Sequence, residues 1–425
     1  GCVPWLAASA VAIGVAVQYA LLLRGNRLKC FLGSGESLRR IFANMPSASA
    51  APVPPCWCFG GYAQFVPWLL YNAVIAVFMP LPYERERIPV RGLVDRARPE
   101  GPGNPRSVAD SVVANYLPPL GDARPGRGLP LDAPAILVEP GLTCGAQDVP
   151  GSSLMRLAVS RGFRVVVLER RGHRRPLEAP RWNLFGDSDD FEQVYRAVAE
   201  RLPGAPLLWV GFSSGSKLVI EGLGKFDERR RQGDDSAPRI AAASCISPGY
   251  NLETCFQCFA WPFSKICHAS VKDNFMVRNE ALLRAHNPEA WDRVMRAPDL
   301  QVLLAEAHAF AGYPSAQAYF AAENPVIFAP LVSTPTIILN AEDDPMTVVA
   351  NAFAKSPFHE GAPTFAELVT RSDCGALLIS PAGSHCPFLD GVLWPFARVP
   401  RWLGGLVLNS WAERCTLEFF EGCLA

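Results

Sequence analysis

The stretch PLLWVGFSSGSKLVI, from Pro206 to Ile220, decides the reading of the chain. Pro206 to Val210 is a short unbroken apolar run, the pattern of a strand covered on both faces. A helical run follows and continues to Leu223. Between them, Gly211-Phe212-Ser213-Ser214-Gly215 fits G-x-S-x-G. The glycines permit a turn too tight for a Cβ. The turn lifts the Ser213 hydroxyl above the sheet edge, and the helix N-terminus favours negative charge beside it. Strand, turn and helix together make a nucleophile elbow with Ser213 at its tip. A Gly/Ser-rich loop capping a helix through Ser214 or Ser216 explains less of the arrangement.

Outward from the elbow, apolar strands alternate with helical stretches. Ala135 to Glu139 (AILVE) ends at Pro140-Gly141, and Phe163 to Leu168 (FRVVVL) ends at Glu169-Arg170-Arg171-Gly172. Asp189 to Leu202 has helical spacing, with Phe191, Val194, Tyr195 and Val198 on one face. Ile240 to Ile246, Thr336 to Asn340 and Ala376 to Ser380 are further strands. This alternation predicts an α/β fold, a mostly parallel sheet with helices on both faces. Residues 250–325 break the rhythm; they are helical and aromatic-rich, as expected of an inserted cap. The domain carrying the chemistry is placed at 131–425.

A serine is a weak nucleophile at its own pKa and needs a base. Of six histidines, His385 is best placed, in the turn Gly383-Ser384-His385 after the strand Ala376 to Ser380. Loops at the C-terminal ends of parallel strands form the face where such sites assemble. His173 also follows a strand and is the second candidate. His268, His286, His308 and His359 are assigned to the cap or to surfaces. An acid should orient the base. Asn340-Ala341-Glu342-Asp343-Asp344-Pro345 follows the strand TIILN, so Asp343 and Asp344 are both candidates; Asp344 is chosen because it precedes the Pro345-Met346 turn. The pair also reads as an N-cap for a helix at Met346 to Phe353. For the oxyanion, the candidate donors are the N–H groups of Ser214, just after the nucleophile, and of Leu142, in the loop after an early strand.

The rest of the chain bounds the setting. It has 425 residues, 49% of them hydrophobic, and formal net charge zero, so no nucleic-acid partner is expected. Arg229 to Arg231 is read as a solvated loop. The 13 cysteines are scattered and odd in number, and Asn-x-Ser/Thr is absent, which fits free thiols and a domain facing a reducing compartment. Residues 2–23 form an uncharged apolar run long enough to cross a bilayer as a helix, followed by Arg24, Arg27 and Lys29. A single-pass anchor, preferred to a signal peptide or a buried helix, is placed at residues 1–30, with an endomembrane as the expected location; the basic flank favours the cytosol for its C-terminal side. Residues 31–130 are a lead-in. Within it, Tyr62 to Met79 is a second apolar run, a span or interfacial hairpin by composition, and packing against the domain is preferred. Residues 84–131, rich in Pro, Gly and Arg, predict loops with at most short strands.

These motifs resemble the α/β-hydrolase group of membrane-anchored lipases and esterases, which includes monoacylglycerol lipases, medium-chain phospholipases and yeast medium-chain ester synthases. The matching residues are Pro140-Gly141-Leu142-Thr143, Arg171-Gly172, Gly211 to Gly215, Gly312-Tyr313 to Ala318-Tyr319, Pro335-Thr336, Asn340 to Pro345 and Gly383-Ser384-His385. Upstream, Trp57 to Gln64 is similar to the family's lead-in, so the resemblance covers roughly residues 55–400 and makes Tyr62 to Met79 part of the domain. Pro140 stands where the family usually has His, and Ser214 and Ser216 stand where a bulkier residue and a Gly are usual. The resemblance implies hydrolysis of a lipid ester, an acylglycerol or phospholipid, by a Ser213–His385–Asp344 triad with no cofactor and no metal. Two other readings share these residues: an acyltransferase that makes esters from an alcohol, and a non-catalytic membrane scaffold. His385 to Asp390 also fits an H-x4-D acyltransferase pattern, with Asp390 as an alternative helix cap. Cys255-x-x-Cys258 with Cys267-His268 resembles a zinc knuckle, set against thiols in an apolar cap.

Overall fold

Strands β4 (Ala135–Glu139), β5 (Arg164–Glu169), β6 (Leu207–Phe212), β7 (Ala243–Ile246), β8 (Thr336–Ala341) and β9 (Gly375–Ser380) are wholly buried. They pair in parallel in the order β9-β8-β7-β6-β4-β5. Antiparallel strands extend both edges: β1 (Lys29–Leu32) beside β9, and β3 (Ser107–Leu117) then β2 (Glu84–Val94) beside β5. The computed structural model describes residues 16, 17, 19, 20, 25–58, 60–94, 107–122, 124–147, 152–357, 359 and 361–425.

Alternation along each strand sorts side chains into two cores. Ile136, Val138, Val165, Val167, Leu208 and Val210 face the helices Ser152–Ser160 and Trp411–Leu424. Leu137, Val166, Leu168 and Trp209 face the helices Ser188–Arg201, Ser214–Arg231 and Phe365–Arg371. The α/β prediction holds, and the strand bounds read from the sequence agree to within three residues, β7 starting at Ala243 rather than Ile240; the helix after the elbow runs on to Arg231, beyond the Leu223 read from the sequence.

Three expectations are corrected. The Pro/Gly/Arg-rich segment 84–131 contains two strands of 11 residues each, not short ones. Its Arg and Pro residues occupy the exposed alternate positions of β2, with Ile88 and Val90 buried between them. Pro89, which lacks an N–H, sits on an edge strand, where the lost donor costs least. Arg229 to Arg231 are not in a loop but end the Ser214–Arg231 helix, where cations complement the dipole. The helix expected at Met346 to Phe353 is a short 3-10 turn, Val349–Phe353.

The second apolar run forms the helix Gly60–Phe78. One face packs on the sheet domain through Gly61, Gln64, Trp68, Asn72 and Ile75, as preferred from the sequence, while the opposite face is exposed. The apolar run at 2–23, but for Ala16, Val17, Tyr19 and Ala20, lies outside the described residues. Between β7 and β8 the chain runs through short helices from Leu252–Cys255 to Ala329–Leu331. Their apolar sides form a third core, joined by Leu177, Trp182, Leu184 and Phe185 from the segment after β5. Trp182 stacks on Phe275 with ring centroids 4.5 Å apart.

Candidate active site

Ser213 follows β6 directly with φ 50° and ψ −120°, and the Ser214–Arg231 helix starts at the next residue. Both motif glycines are explained by close approach. A Cβ on Gly211 would lie 2.5 Å from Ser216 Cα, and one on Gly215 would lie 2.4 Å from the Glu139 carbonyl oxygen. The elbow helix is thus pressed against the end of β4, which brings Ser214 beside the loop holding Leu142. The Ser213 N–H donates to the Ile246 carbonyl at 2.8 Å, fixing the turn to β7.

His385 and Asp344 meet this serine from the loops after β9 and β8. Ser213 Oγ lies 2.7 Å from His385 Nε2, and His385 Nδ1 lies 2.9 Å from Asp344 Oδ2. A carboxylate only accepts, so Nδ1 carries the imidazole proton and Nε2 is left to accept from the serine hydroxyl. Asp344 is buried and well supplied with donors. Its Oδ1 accepts from the Met346 and Thr347 N–H groups at 2.7 and 2.9 Å, and its Oδ2 from the Thr347 hydroxyl at 2.7 Å. One carboxylate therefore both caps the following turn and holds the imidazole.

Asp343 points elsewhere. Its Oδ1 accepts from the Gly383 N–H at 2.8 Å, bracing the loop that carries His385. Burial pushes its carboxyl up to about 7, against the lowering effect of that hydrogen bond and with the neighbouring Asp344 charge adding to the rise.

The oxyanion-loop candidate is held from two sides. Arg170, paired with the buried Glu139 at 3.1 Å, also donates to the Pro140 carbonyl at 3.1 Å. Thr143 Oγ1 lies 2.7 Å from Ser270 Oγ of the cap. Burial pushes Glu139 up to about 7 even with the arginine beside it. Leu142, Ser213 and Ser214 line one narrow cavity, walled by Phe185, Phe256, Phe259 and Met346. The Ser214 hydroxyl in this lining is buried without a hydrogen-bond partner. Lys217, one helical turn past Ser213, reaches the same cavity and is buried between Glu221 and Glu323.

Of the five non-glycine residues with positive φ among the described residues, Thr143, Ser213, Ser247 and Cys386 surround this site. Such strain concentrates where backbone must be aimed. Ser247, after β7, uses its Oγ to accept the Cys386 N–H at 3.1 Å and so fixes the residue next to His385. Thr347, Ser247 and Arg170 were not singled out in the sequence; only the position of Thr347, three residues after an Asp, carries a signal, that of a side-chain-capped turn.

The other candidates lie apart. His173 is buried with its Nε2 3.2 Å from Arg170 Nη2 and its ring edge-on to Phe275. Burial and the Arg170 charge hold it well below the usual imidazole range. His268, His286 and His308 sit on cap helices, and His359 Nε2 lies 3.2 Å from the Ala321 carbonyl. Asp390 of the H-x4-D pattern accepts from the Val53 N–H at 2.8 Å and pairs with Arg414, so it serves a structural contact away from Ser213. Cys255, Cys258, Cys267 and His268 are not gathered into a metal-holding group, and there is no such group among the described residues.

Comparison with known proteins agrees with this architecture. Residues 135–393, more than half of the chain, match the Alpha/beta hydrolase family. Human "Protein ABHD15" is 26% identical over 279 residues, which cover 63% of this chain and 52% of that protein. Mouse "Phospholipase ABHD3" is 28% identical over 273 residues, covering 62% of this chain and 60% of that protein. This chain therefore spans between half and two thirds of the length of these two relatives. Mouse "Monoacylglycerol lipase ABHD2" is 21% identical over 409 residues, covering 91% of this chain and 85% of that protein. With the sheet order, the elbow and the family match together, the chain belongs to the alpha/beta hydrolase family.

Proposed function

We propose that this protein is a serine hydrolase that cleaves carboxylic esters of lipids, an acylglycerol or a phospholipid, through an acyl-enzyme. The observation that carries the reading is the continuous relay from Ser213 Oγ through His385 to Asp344, at 2.7 and 2.9 Å. In the first step His385 Nε2 takes the serine proton as Oγ attacks the ester carbonyl carbon. Asp344 holds the imidazole in the productive tautomer and stabilises its positive form. The Leu142 and Ser214 N–H groups bind the oxyanion, each contributing about 3 kcal/mol to lowering the barrier. The imidazolium then protonates the leaving alcohol. In the second step water, deprotonated by His385, attacks the acyl carbonyl and frees Ser213. No cofactor enters either step.

Two observations support a lipid-derived ester. The cavity beside Ser213 is walled by Leu252, Phe256, Phe259 and Met346. Two relatives carry the names phospholipase and monoacylglycerol lipase. The proposed layout is an anchor at 1–30 in an endomembrane, a lead-in at 31–130, and the hydrolase domain at 131–425 with a cap at about 250–325. A screen of acylglycerol and phospholipid substrates on wild type beside Ser213→Ala tests the reading. Turnover of the preferred ester should fall on the order of 10⁶-fold in the variant. Near-normal turnover by Ser213→Ala contradicts it.

A further inference from the structure

The helix Gly60–Phe78 carries no charged residue and is mostly apolar, yet only one of its faces meets protein. A helix of that composition is expected to be covered on every side. Its outer face carries Val66, Leu69, Leu70, Val74, Val77 and Phe78, all exposed, with Phe78 at 76%. No charged residue occurs between Arg40 and Glu84. The surface continues beyond the helix. Trp57, exposed beside the helix start, donates from Nε1 to the Leu393 carbonyl at 3.3 Å, next to exposed Trp394. In the first turn of the helix the Tyr62 hydroxyl donates to the carbonyl of Trp261, which is 77% exposed. An apolar helix face rimmed by three exposed tryptophans is far larger than the scattered apolar residues a soluble surface tolerates.

We infer that this face docks into a lipid bilayer, with the Gly60–Phe78 helix lying in the plane of the interface rather than crossing it. Crossing is excluded by the packed face: Gln64 and Asn72 are buried there, and Gln64 Oε1 accepts from the Leu389 N–H at 3.0 Å. The outer face offers a protein partner almost no hydrogen-bonding side chain, and its one hydroxyl, on Tyr62, is already used. Tryptophan at the edge of an apolar face is the signature of the headgroup boundary. The chain leaving the apolar run at 2–23 joins the body on this same side. Asn26, just past that run, donates to the Pro52 carbonyl at 2.7 Å. Cys56 pairs through its N–H with Val392.

The docked face borders the candidate active site. Ser384, the residue before His385, donates to the Gly61 carbonyl at 2.6 Å, and Phe65 packs edge-on against Phe263 of the cap at 4.7 Å. A bilayer ester entering between the helix and the cap reaches Ser213 without crossing bulk water. This last point rests on the lipid-ester reading; the docking itself does not.

Two measurements on the full chain separate the claims. With vesicles of brominated phosphatidylcholine, tryptophan emission should be quenched in wild type. The variant Trp57→Phe/Trp261→Phe/Trp394→Phe should lose a large share of that quenching. Unchanged quenching overturns the proposal; it is also the outcome expected if residues 2–23 or a second copy covers this face. In the second measurement, Leu70→Glu/Val74→Glu should cut turnover of an ester embedded in phosphatidylcholine vesicles by about tenfold or more. The same variant should leave turnover of a water-soluble short-chain ester unchanged, which also reports that it folds. Equal vesicle turnover in variant and wild type counts against docking. Absence of turnover by wild type on either ester counts against the hydrolase reading alone, and the quenching experiment still decides the docking.

Discussion

The Ser384 hydroxyl donates to the Gly61 carbonyl at 2.6 Å, tying the residue before His385 to the first turn of the Gly60–Phe78 helix. Gly61 is also wedged against the acid turn, since a Cβ there would lie 2.1 Å from the Asp343 carbonyl oxygen. The lead-in helix therefore sets the spacing between the loops that carry Asp344 and His385. Gly61→Ala must push backbone against backbone, and a displacement of about 1 Å in a relay of this kind costs about 100-fold in turnover. Steady-state kinetics on a soluble ester should show that loss in kcat with circular dichroism unchanged. A kcat equal to wild type contradicts the coupling.

The two adjacent acids divide the work. Asp344 Oδ2 holds His385, and Asp343 Oδ1 holds the Gly383 N–H. Asp344→Asn should lower kcat by about 10⁴-fold, because the amide favours the wrong imidazole tautomer. Asp343→Asn retains an acceptor oxygen for Gly383 and should stay within about tenfold of wild type, as expected for loss of one supporting charge. The reverse ranking of the two variants assigns the acid to Asp343.

Asp343 also makes stability depend on pH. Burial raises its folded-state pKa to about 7 from its ordinary value of 3.8. As pH rises through this window the unfolded chain releases the Asp343 proton first, so the folded state binds more protons and loses stability with increasing pH. Below the unfolded value both states are protonated and the effect vanishes. Urea titrations should show Asp343→Asn gaining stability relative to wild type from about pH 4 to about pH 7. Parallel curves across that range contradict the assignment.

Lys217 is held between Glu221 and Glu323, and Tyr313 donates to the same Glu323. Removing the cation leaves Glu221 paired with Lys225, and leaves the buried Glu323 with the Tyr313 hydroxyl in place of its lysine. Lys217→Ala should lower unfolding free energy by about 3 kcal/mol, the scale seen when one partner of a buried pair is deleted. Chemical denaturation measures it. A change below about 1 kcal/mol means the cluster relaxes or hydrates.

Much of this was legible because the features are local. The strands are continuous apolar runs, and G-x-S-x-G reports two close approaches, of Gly211 to Ser216 and of Gly215 to Glu139, that leave no room for a Cβ. Asp344 and His385 follow strands whose order in the sheet places both loops on one edge. What stayed hidden depends on contacts distant in sequence. The charged alternation of β2 reads as loop until β3 pairs with it and buries Ile88 and Val90. Arg170 and Ser247 act by bracing backbone that the sequence does not place beside them, at Pro140 and Cys386. The Gly60–Phe78 helix shows its apolar composition in the sequence, but not which face is left open.

The most direct test of the central claim is active-site labelling with a fluorophosphonate, which reacts with a serine only when a base and an oxyanion hole activate it. The full-length protein should be labelled at one site, with Ser213 identified in the modified peptide by mass spectrometry, and Ser213→Ala should abolish the label. A wild-type protein that is folded yet unlabelled, or a label that persists in Ser213→Ala, contradicts the account.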